Sequence, residues 1–529
     1  MSKVYCNHSE LSDKLLRGVA TLAENVGATL GPKGRNVILK KKGERPVITK
    51  DGVTVASFVD LNDAVENLGA QVIKQAAQVT ADEAGDGTTT STVLAHEIFQ
   101  QASAHLGAGI SPVEIKRGMD KAVESIISEL KEVSKPVETL EDILNVATIS
   151  ANGDKHLGHL ISEAIDKAGK DGAITIEPAN SSETSLELIE GFQIDSGYLS
   201  PQFVTDKRRW TMRHESPLIL VTDTILSTVE QIFPTLQIAS REGRALVVVA
   251  EDVQDQALAA LIMNAVRGTM KVAAIRAPGY GEERRSCLED LAASVGATVL
   301  GPAGKQSLSK VDISHLGTAK VCEAKKNWAT FVGGSGDPDV MEQRIEQLKA
   351  EITQTDSLKE CEAIQARVNR LASGVAILKV GGTTEVEMME AFHRAEDALQ
   401  AVRSAQEDGI VAGGGTALLQ AAERVQDIPV DTMGLENEDQ ALGARIIFSA
   451  TSAPLRQMAK NAGLSTDIVE QTVRTAKTGF GYDFSHERLT DMCQDGIIDP
   501  LKVTKTALIN AVSAAGTLIT TSHGIVEIE

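Results

Sequence analysis

The segment Gly85-Asp86-Gly87-Thr88-Thr89-Thr90-Ser91-Thr92 carries the densest chemistry in the chain. Two glycines let a backbone approach a ligand closely, and a run of hydroxyls then opens a helix. The free N–H groups and the dipole of such a helix end attract phosphate. Asp86 would repel phosphate unless a cation bridged the two, so the pattern implies Mg²⁺. A simple cap is the alternative, yet a cap needs one hydroxyl and this run has five.

Two further loops stand near helices. Thr29-Leu30-Gly31-Pro32-Lys33-Gly34-Arg35-Asn36 sets glycines and two cations after a helical pattern, and alone it reads equally as a tight turn. Gly409-Ile410-Val411-Ala412-Gly413-Gly414-Gly415-Thr416 precedes a helix and could admit a ribose or phosphate. It lacks dinucleotide spacing, and no G-x-x-x-x-G-K-[ST] occurs, which disfavours a P-loop enzyme. Asp51, in Thr49-Lys50-Asp51-Gly52-Val53, and Asp397, in Arg394-Ala395-Glu396-Asp397-Ala398, are single carboxylates. Each alone is an ordinary surface acid; their interest depends on whether the fold brings them to Asp86. His156 and His159 have no joining ligand pattern and read as a surface helix.

The elements that must position these residues fall into three sections. Helical periodicity runs over Leu11–Val26, Val65–Glu83, Thr89–Leu106 and Pro112–Val133, with a short strand at Asn36–Leu39. The middle alternates strands (Leu218–Val221, Leu246–Val249, Val272–Ile275) with helices (Ser227–Ser240, Val253–Arg267), which predicts an α/β domain. Helices then return, first over Glu385–Gln406 with a capping-box pattern at Thr384 and Glu387 and a stop at Gly409. If both ends form one domain, two segments cross to the insert. Gly191, Gly374, Pro136 and Gly409 lie at those crossings and are hinge candidates or ordinary turns.

The insert helices are too apolar for one buried stripe. Ala257-Leu258-Ala259-Ala260-Leu261-Ile262-Met263 is apolar nearly all round, and the other carries Ile232, Phe233 and Leu236. Either a larger core covers them or they form a binding patch.

Composition narrows the classes. At 529 residues the chain suggests about three domains. A net charge of −21 argues against nucleic acid as a partner, and the short cluster Lys207-Arg208-Arg209-Trp210 reads as a solvated loop. Five scattered cysteines point to a reducing compartment. The first residues show no apolar signal core, and no stretch reaches the ~20 apolar residues of a membrane span. A soluble, cytoplasmic protein with no membrane partner is expected.

Taken together and in order, these segments resemble the type I chaperonins, the GroEL family. Leu30–Asn36, Thr49–Val53, Ala84–Thr90, Thr148-Ile149-Ser150-Ala151-Asn152, Gly197-Tyr198-Leu199-Ser200-Pro201, Ala412–Gly415 and Asp499-Pro500-Leu501-Lys502-Val503-Thr504 carry the resemblance. It runs from about Leu11 to Glu527. It implies a multi-domain α and α/β fold: a helical equatorial domain (1–132 and 409–529), a hinge-like intermediate domain (133–189 and 376–408) and an α/β apical domain (190–375). It also implies a homo-oligomeric ring, seven-membered in the family and often doubled. Unfolded or misfolded client proteins and a GroES-like co-chaperonin would be the partners.

Carried over by position, the resemblance makes the subunit an ATPase using ATP, Mg²⁺ and K⁺. Thr29, Leu30, Gly31, Pro32 and Gly87 to Thr90 (Thr88 and Thr89 included) would hold the phosphates, and Asp86 the Mg²⁺. Thr29, Lys50 and Thr89 would lie near K⁺. Gly414 and Asp499 would contact the ribose, with Ile149 and Ile497 lining the pocket and Asp483, Phe484 and Ser485 beside the adenine. Asp51 and Asp397 would position the attacking water. Clients would bind Tyr198, Phe203, Phe233, Leu236, Leu258, Ile262 and Met263.

Several positions depart from the family. Gln202 stands where an apical Tyr is usual, and Ser196 replaces an Arg that pairs with the acid at Glu385. Asp483-Phe484-Ser485 replaces an Asn-Ala-Ala run beside the adenine, so the bulk of Phe484 is expected to disturb the base contacts. Ser404 and Asp408 replace the usual Ala and Glu. Ala104 and Ser465 replace ring–ring partners of Glu438 and Arg456, which implies a labile double ring or a working single ring. The chain ends at Glu527-Ile528-Glu529 without a Gly-Gly-Met tail, so a barer cavity floor is expected. Together these read as a divergent paralogue or a virus-borne copy. The rivals are a binding protein that lost its ATPase, or a surface protein with no folding role.

Overall fold

The computed structural model describes residues 2–40, 46–106, 109–168, 174–179, 181–189, 191–207, 210–301, 308–353, 358–372, 375–426 and 433–528. The chain divides into two compact units. One comprises Met1–Ser162, Pro178–Thr184 and Val380–Glu529; the other comprises Glu163–Glu177 and Ser185–Lys379.

The first unit is helical because its apolar residues recur at helical spacing. Helix α1 spans His8–Gly27, α2 Gly52–Phe58, α3 Ala64–Ala84, α4 Thr88–Ser103 and α5 Pro112–Val133. Leu11, Leu22, Ile73, Leu94, Phe99, Ile115 and Met119 are fully buried in one shared core. The core also draws on helices Thr416–Gln426, Glu438–Ala450 and Leu501–Ile519. Helix α5 and Glu438–Ala450 touch backbone to backbone. A Cβ at Gly118 would sit 1.9 Å from Gln440 O, and one at Gly443 would sit 2.1 Å from Ile115 O. The strand Ser2–Asn7 pairs antiparallel with His523–Ile528, Tyr5 opposite Ile525, which periodicity did not reveal.

In the second unit, strands Leu218–Val221, Leu246–Ala250 and Val272–Arg276 run parallel and are almost wholly buried. Continuous apolar runs are what a sheet covered on both faces requires. Among the described residues the sheet has seven strands; Gly317–Ala324, Ala329–Gly334, Gly191–Ile194 and Met212–Glu215 extend it antiparallel. Helices Val229–Glu242 and Asp255–Arg267 are the crossovers. The second starts two residues later than periodicity suggests, because Asp252–Val253 forms a short parallel pair with Ile225–Leu226. Likewise α4 ends at Ser103, short of Leu106.

The long helix spans Glu385–Asp408. Thr384 Oγ1 accepts from Glu387 N, but the Glu387 carboxylate accepts from Thr383 N, one residue before the usual box partner. At its end Gly409 has φ +87, and a Cβ there would be 2.5 Å from Lys135 O, beside Pro136. Lys135 and Ile410 exchange backbone hydrogen bonds at that point. Gly191 has a different reason: a Cβ would stand 2.3 Å from Val375 Cγ2. Gly374, Arg208 and Arg209 lie outside the described residues. His156 and His159 are exposed on the helix Lys155–Ala168.

Candidate functional site

The centre of the first unit's site is the turn joining α3 to α4. Gly85 (φ +77) ends α3 and Gly87 (φ +92) opens α4, so Asp86 is held between two left-handed glycines. Among the described residues no side chain caps α4, which leaves its first-turn N–H groups open to an anion. Among the described residues, the buried hydroxyls of Thr88 and Ser91 have no hydrogen-bond partner. Native proteins rarely strand such groups without a ligand or water.

Two loops close on this turn. The Asp51 carboxylate caps α2, accepting from Val53 N at 2.9 Å and Thr54 N at 3.0 Å. Next to it, Gly52 lies against Thr89. Lys50 Nζ donates to Gly31 O at 3.0 Å and to Asn152 Oδ1 at 3.1 Å, and burial holds its ammonium below the ordinary pKa. Thr29 is buried and donates to Val26 O, Leu30 O accepts from Asn461 Nδ2, and Pro32 is exposed. Gly31 has φ +79 and packs on Met458.

The opposite wall is a strand pair, Ile410–Ala412 with Ile498–Pro500, placing Val411 across from Asp499. Gly414 N–H donates to the Asp499 carboxylate. Burial, reinforced by the charge of Asp86, pushes Asp499 up to about 7. Burial also pushes Asp86 up; the Gly87 N–H opposes this and Asp51 adds to it. Asp51, Asp86 and Asp499 therefore share one field of negative charge. Ile497 O accepts from Gly413 N at 2.9 Å. Ile149 lies on helix Leu140–Ser150, which packs on the Ile498–Pro500 strand.

Asp397 is half-buried on the long helix. Gln400, three residues on, sits against Gly85, whose added Cβ would be 2.3 Å from Gln400 Cβ. Ser404 Oγ donates to Ala84 O at 2.7 Å. Residues 397, 400 and 404 share one helix face, so Asp397 lies on the face turned to the Asp86 region. Among the described residues no three acidic, His or Cys side chains stand ready as ligands by themselves. A single carboxylate, Asp86, beside an open helix N-terminus suits Mg²⁺, which is held by one or two carboxylates together with phosphate oxygens.

The second unit presents a different surface. Helix Val229–Glu242 buries Ile232 and helix Asp255–Arg267 buries Ala257 and Leu261. Phe233 (58% exposed), Met263 (46%) and Val266 (61%) face outward, with Leu258 and Ile262 half-buried beside them. Tyr198 is half-buried and donates to Trp210 O at 3.1 Å. Phe203 (2% exposed) and Leu236 (8%) are not part of this surface, contrary to expectation. Both are core residues whose types are apolar for packing.

The model of the TCP-1/cpn60 chaperonin family matches residues 22–528. The chain belongs to that family. Among solved structures it is similar to the chaperonin gp146 from the bacteriophage EL 2 (Pseudomonas aeruginosa), crystallised in the presence of ATP-BeFx. Identity is 22%, the TM-score is 0.69, and the match covers 99% of this chain and 100% of the other. It is thus a divergent chaperonin of GroEL type.

Some departures of this chaperonin have structural explanations. Phe484 is buried among Leu419, Leu455 and Met458, 5.2 Å from the Tyr482 ring, so its bulk fills a core rather than a base pocket. Asp483 is spent on its own turn, accepting from Ser485 N at 2.8 Å and pairing with His486 Nδ1 at 2.6 Å. Burial alone would raise that carboxyl, but the bonds from His486 and Ser485 outweigh it and hold it low. Ser485 is exposed. Thr416, named in the third loop but given no role of its own, also has a buried hydroxyl with no partner among the described residues. It ends the Gly413–Gly415 run, which was the available signal.

Proposed function

We propose that this chaperonin subunit binds Mg-ATP in its helical unit, hydrolyses it, and uses the cycle to fold non-native proteins captured on the α/β unit. The observation that carries the reading is the uncapped α4 N-terminus, with the Thr88 hydroxyl unpartnered among the described residues and close to the half-buried Asp86. Mg²⁺, when bound, supplies charge neutralisation of the phosphates. Asp86 would hold it, and Thr29, Lys50 and Thr89 would lie near K⁺. Leu30 to Pro32 and Gly87 to Thr90 would cradle the phosphates, Gly414 and Asp499 the ribose, and Ile149 and Ile497 the base side. Asp51 and Asp397 orient the attacking water, so hydrolysis depends on the long helix being seated. Positioning of this kind supplies most of phosphoryl-transfer catalysis.

Clients meet Phe233, Leu258, Ile262 and Met263, with Val266 added and Tyr198 nearby. Non-directional apolar contact suits clients of no fixed sequence. A three-domain division (1–132 with 409–529, 133–189 with 376–408, and 190–375) places the hinges at the crossings. A ring is supported by two small sheets with exposed apolar residues: Tyr5 and Ile525 on one, Ile38, Val47 and Ile48 on the other. Two-stranded sheets with free edges are marginal alone and invite a neighbouring copy. Seven-fold symmetry, a GroES-like lid and cytoplasmic residence complete the reading, the last favoured by five free cysteines.

The ring–ring contact is proposed to be weak. Arg456 is already engaged by Asp467 at 2.8 Å and by Glu470, both in its own subunit. Native mass spectrometry showing only stable double rings with ATP would sink that part. The central test is refolding of a denatured client with ATP, repeated with Asp397→Ala. The reading expects refolding by the native chain and loss of hydrolysis in the variant. ATP hydrolysis without refolding, or no hydrolysis at all, would overturn it.

A further inference from the structure

Ala84 is the last residue of α3, so its carbonyl is among the four that a helix cannot satisfy internally. The buried hydroxyl of Ser404 donates to it at 2.7 Å, across 320 positions of sequence. A helical serine ordinarily bonds back to its own chain one turn earlier; this one reaches to another helix. The bonded carbonyl immediately precedes Gly85 and Asp86.

Ser404 lies one heptad after Asp397. An α-helix drifts only about 20° over that interval, so the two side chains leave nearly the same face, about 10 Å apart along the axis. Fixing Ser404 on α3 therefore fixes the rotation of the helix that carries Asp397. Two ion pairs hold the same helix end: Glu407 with Lys502, and Asp408 with Lys505, both at 2.5 Å. Beyond them Gly409, at φ +87, ends the helix.

We propose that Ser404 is a positioning residue, a latch that seats the Asp397 helix on the Asp86 turn. The hydrolytic part rests on the ATPase reading above; the latch itself does not. Ser404→Ala keeps the Cβ and deletes only the hydroxyl, so it removes the bond with little change in packing.

The test uses the full chain with Ser404→Ala and two readouts. Without nucleotide, amide hydrogen exchange of residues 85–90 is expected to quicken about threefold to tenfold, the size of a single hydrogen bond. With Mg-ATP, kcat is expected to fall by about the same factor while KM for ATP stays unchanged. Unchanged exchange overturns the latch. A parallel change in kcat and KM overturns the positioning role, because it reports general loosening of the site. If the native chain hydrolyses no ATP, the ATPase reading fails and the exchange comparison still decides the latch.

Discussion

A Cβ at Gly52 would stand 2.2 Å from the hydroxyl of Thr89. The α2 cap and the α4 N-terminus are thus in direct contact, with Asp51 on one side and Asp86 on the other. Gly52→Ala is expected to displace the first turn of α4 and weaken Mg-ATP binding at least about tenfold, with a stability loss of about 1–3 kcal/mol. Isothermal titration beside thermal unfolding checks both. Native affinity in the variant would show that this approach does not shape the site.

Asp290 is buried in the second unit and receives Arg344 Nε at 2.9 Å and Arg367 Nε at 2.8 Å. It joins three helices, Gly281–Val295, Pro338–Ile352 and Leu358–Ala372. Asp290→Ala leaves Arg367 without its carboxylate, while Arg344 keeps Glu289 at 2.9 Å, and is expected to cost about 3 kcal/mol. Both tryptophans, Trp210 and Trp328, lie in this unit, so urea unfolding followed by tryptophan fluorescence reads it selectively. A loss under about 1 kcal/mol would make the cluster incidental.

His214 is buried, and burial, aided by the charge of Lys271, lowers its pKa to about 4. The unfolded chain titrates near 6.5 and so binds more protons than the folded one between those values. Stability therefore rises with pH across the window and is lost as pH falls from about 6.5 to 4, by roughly 3 kcal/mol. Tryptophan-monitored unfolding at pH 7.5 and pH 5 should show the slope, and His214→Phe should flatten it. A native-like slope in the variant would assign the effect to other groups.

Phe233 and Met263 are exposed, whereas Phe203 and Leu236 are buried. Phe233→Ser and Met263→Ser are expected to reduce capture of a denatured client about tenfold with unfolding unchanged. Phe203→Ser and Leu236→Ser are expected to destabilise the second unit by about 2–5 kcal/mol. Light-scattering suppression and urea unfolding separate the two classes. Equal behaviour of all four would mean that exposure does not mark the binding surface.

Local signals made most of the fold readable. Helix α5 spans Pro112–Val133, the bounds that its apolar spacing indicates. The parallel strands were readable because four consecutive apolar residues, as in Leu218–Val221, suit a doubly covered sheet. The pairing of Ser2–Asn7 with His523–Ile528 was not readable, since neither strand alternates clearly and the partners are remote in sequence. The start of Asp255–Arg267 was misjudged because a two-residue strand leaves no period to detect.

The sequence by itself determined where the chain is locally able to approach a ligand: glycines followed by hydroxyls, as in Gly85 to Thr92. These are local properties, written in a few neighbouring residues. Only the tertiary structure decided which partners each side chain meets. Apolar type alone could not separate Phe203 in the core from Phe233 on the surface, because burial depends on what packs above a residue. Nor could spacing show that Ser404 closes on Ala84, since an orphaned helix carbonyl finds its donor wherever folding brings one.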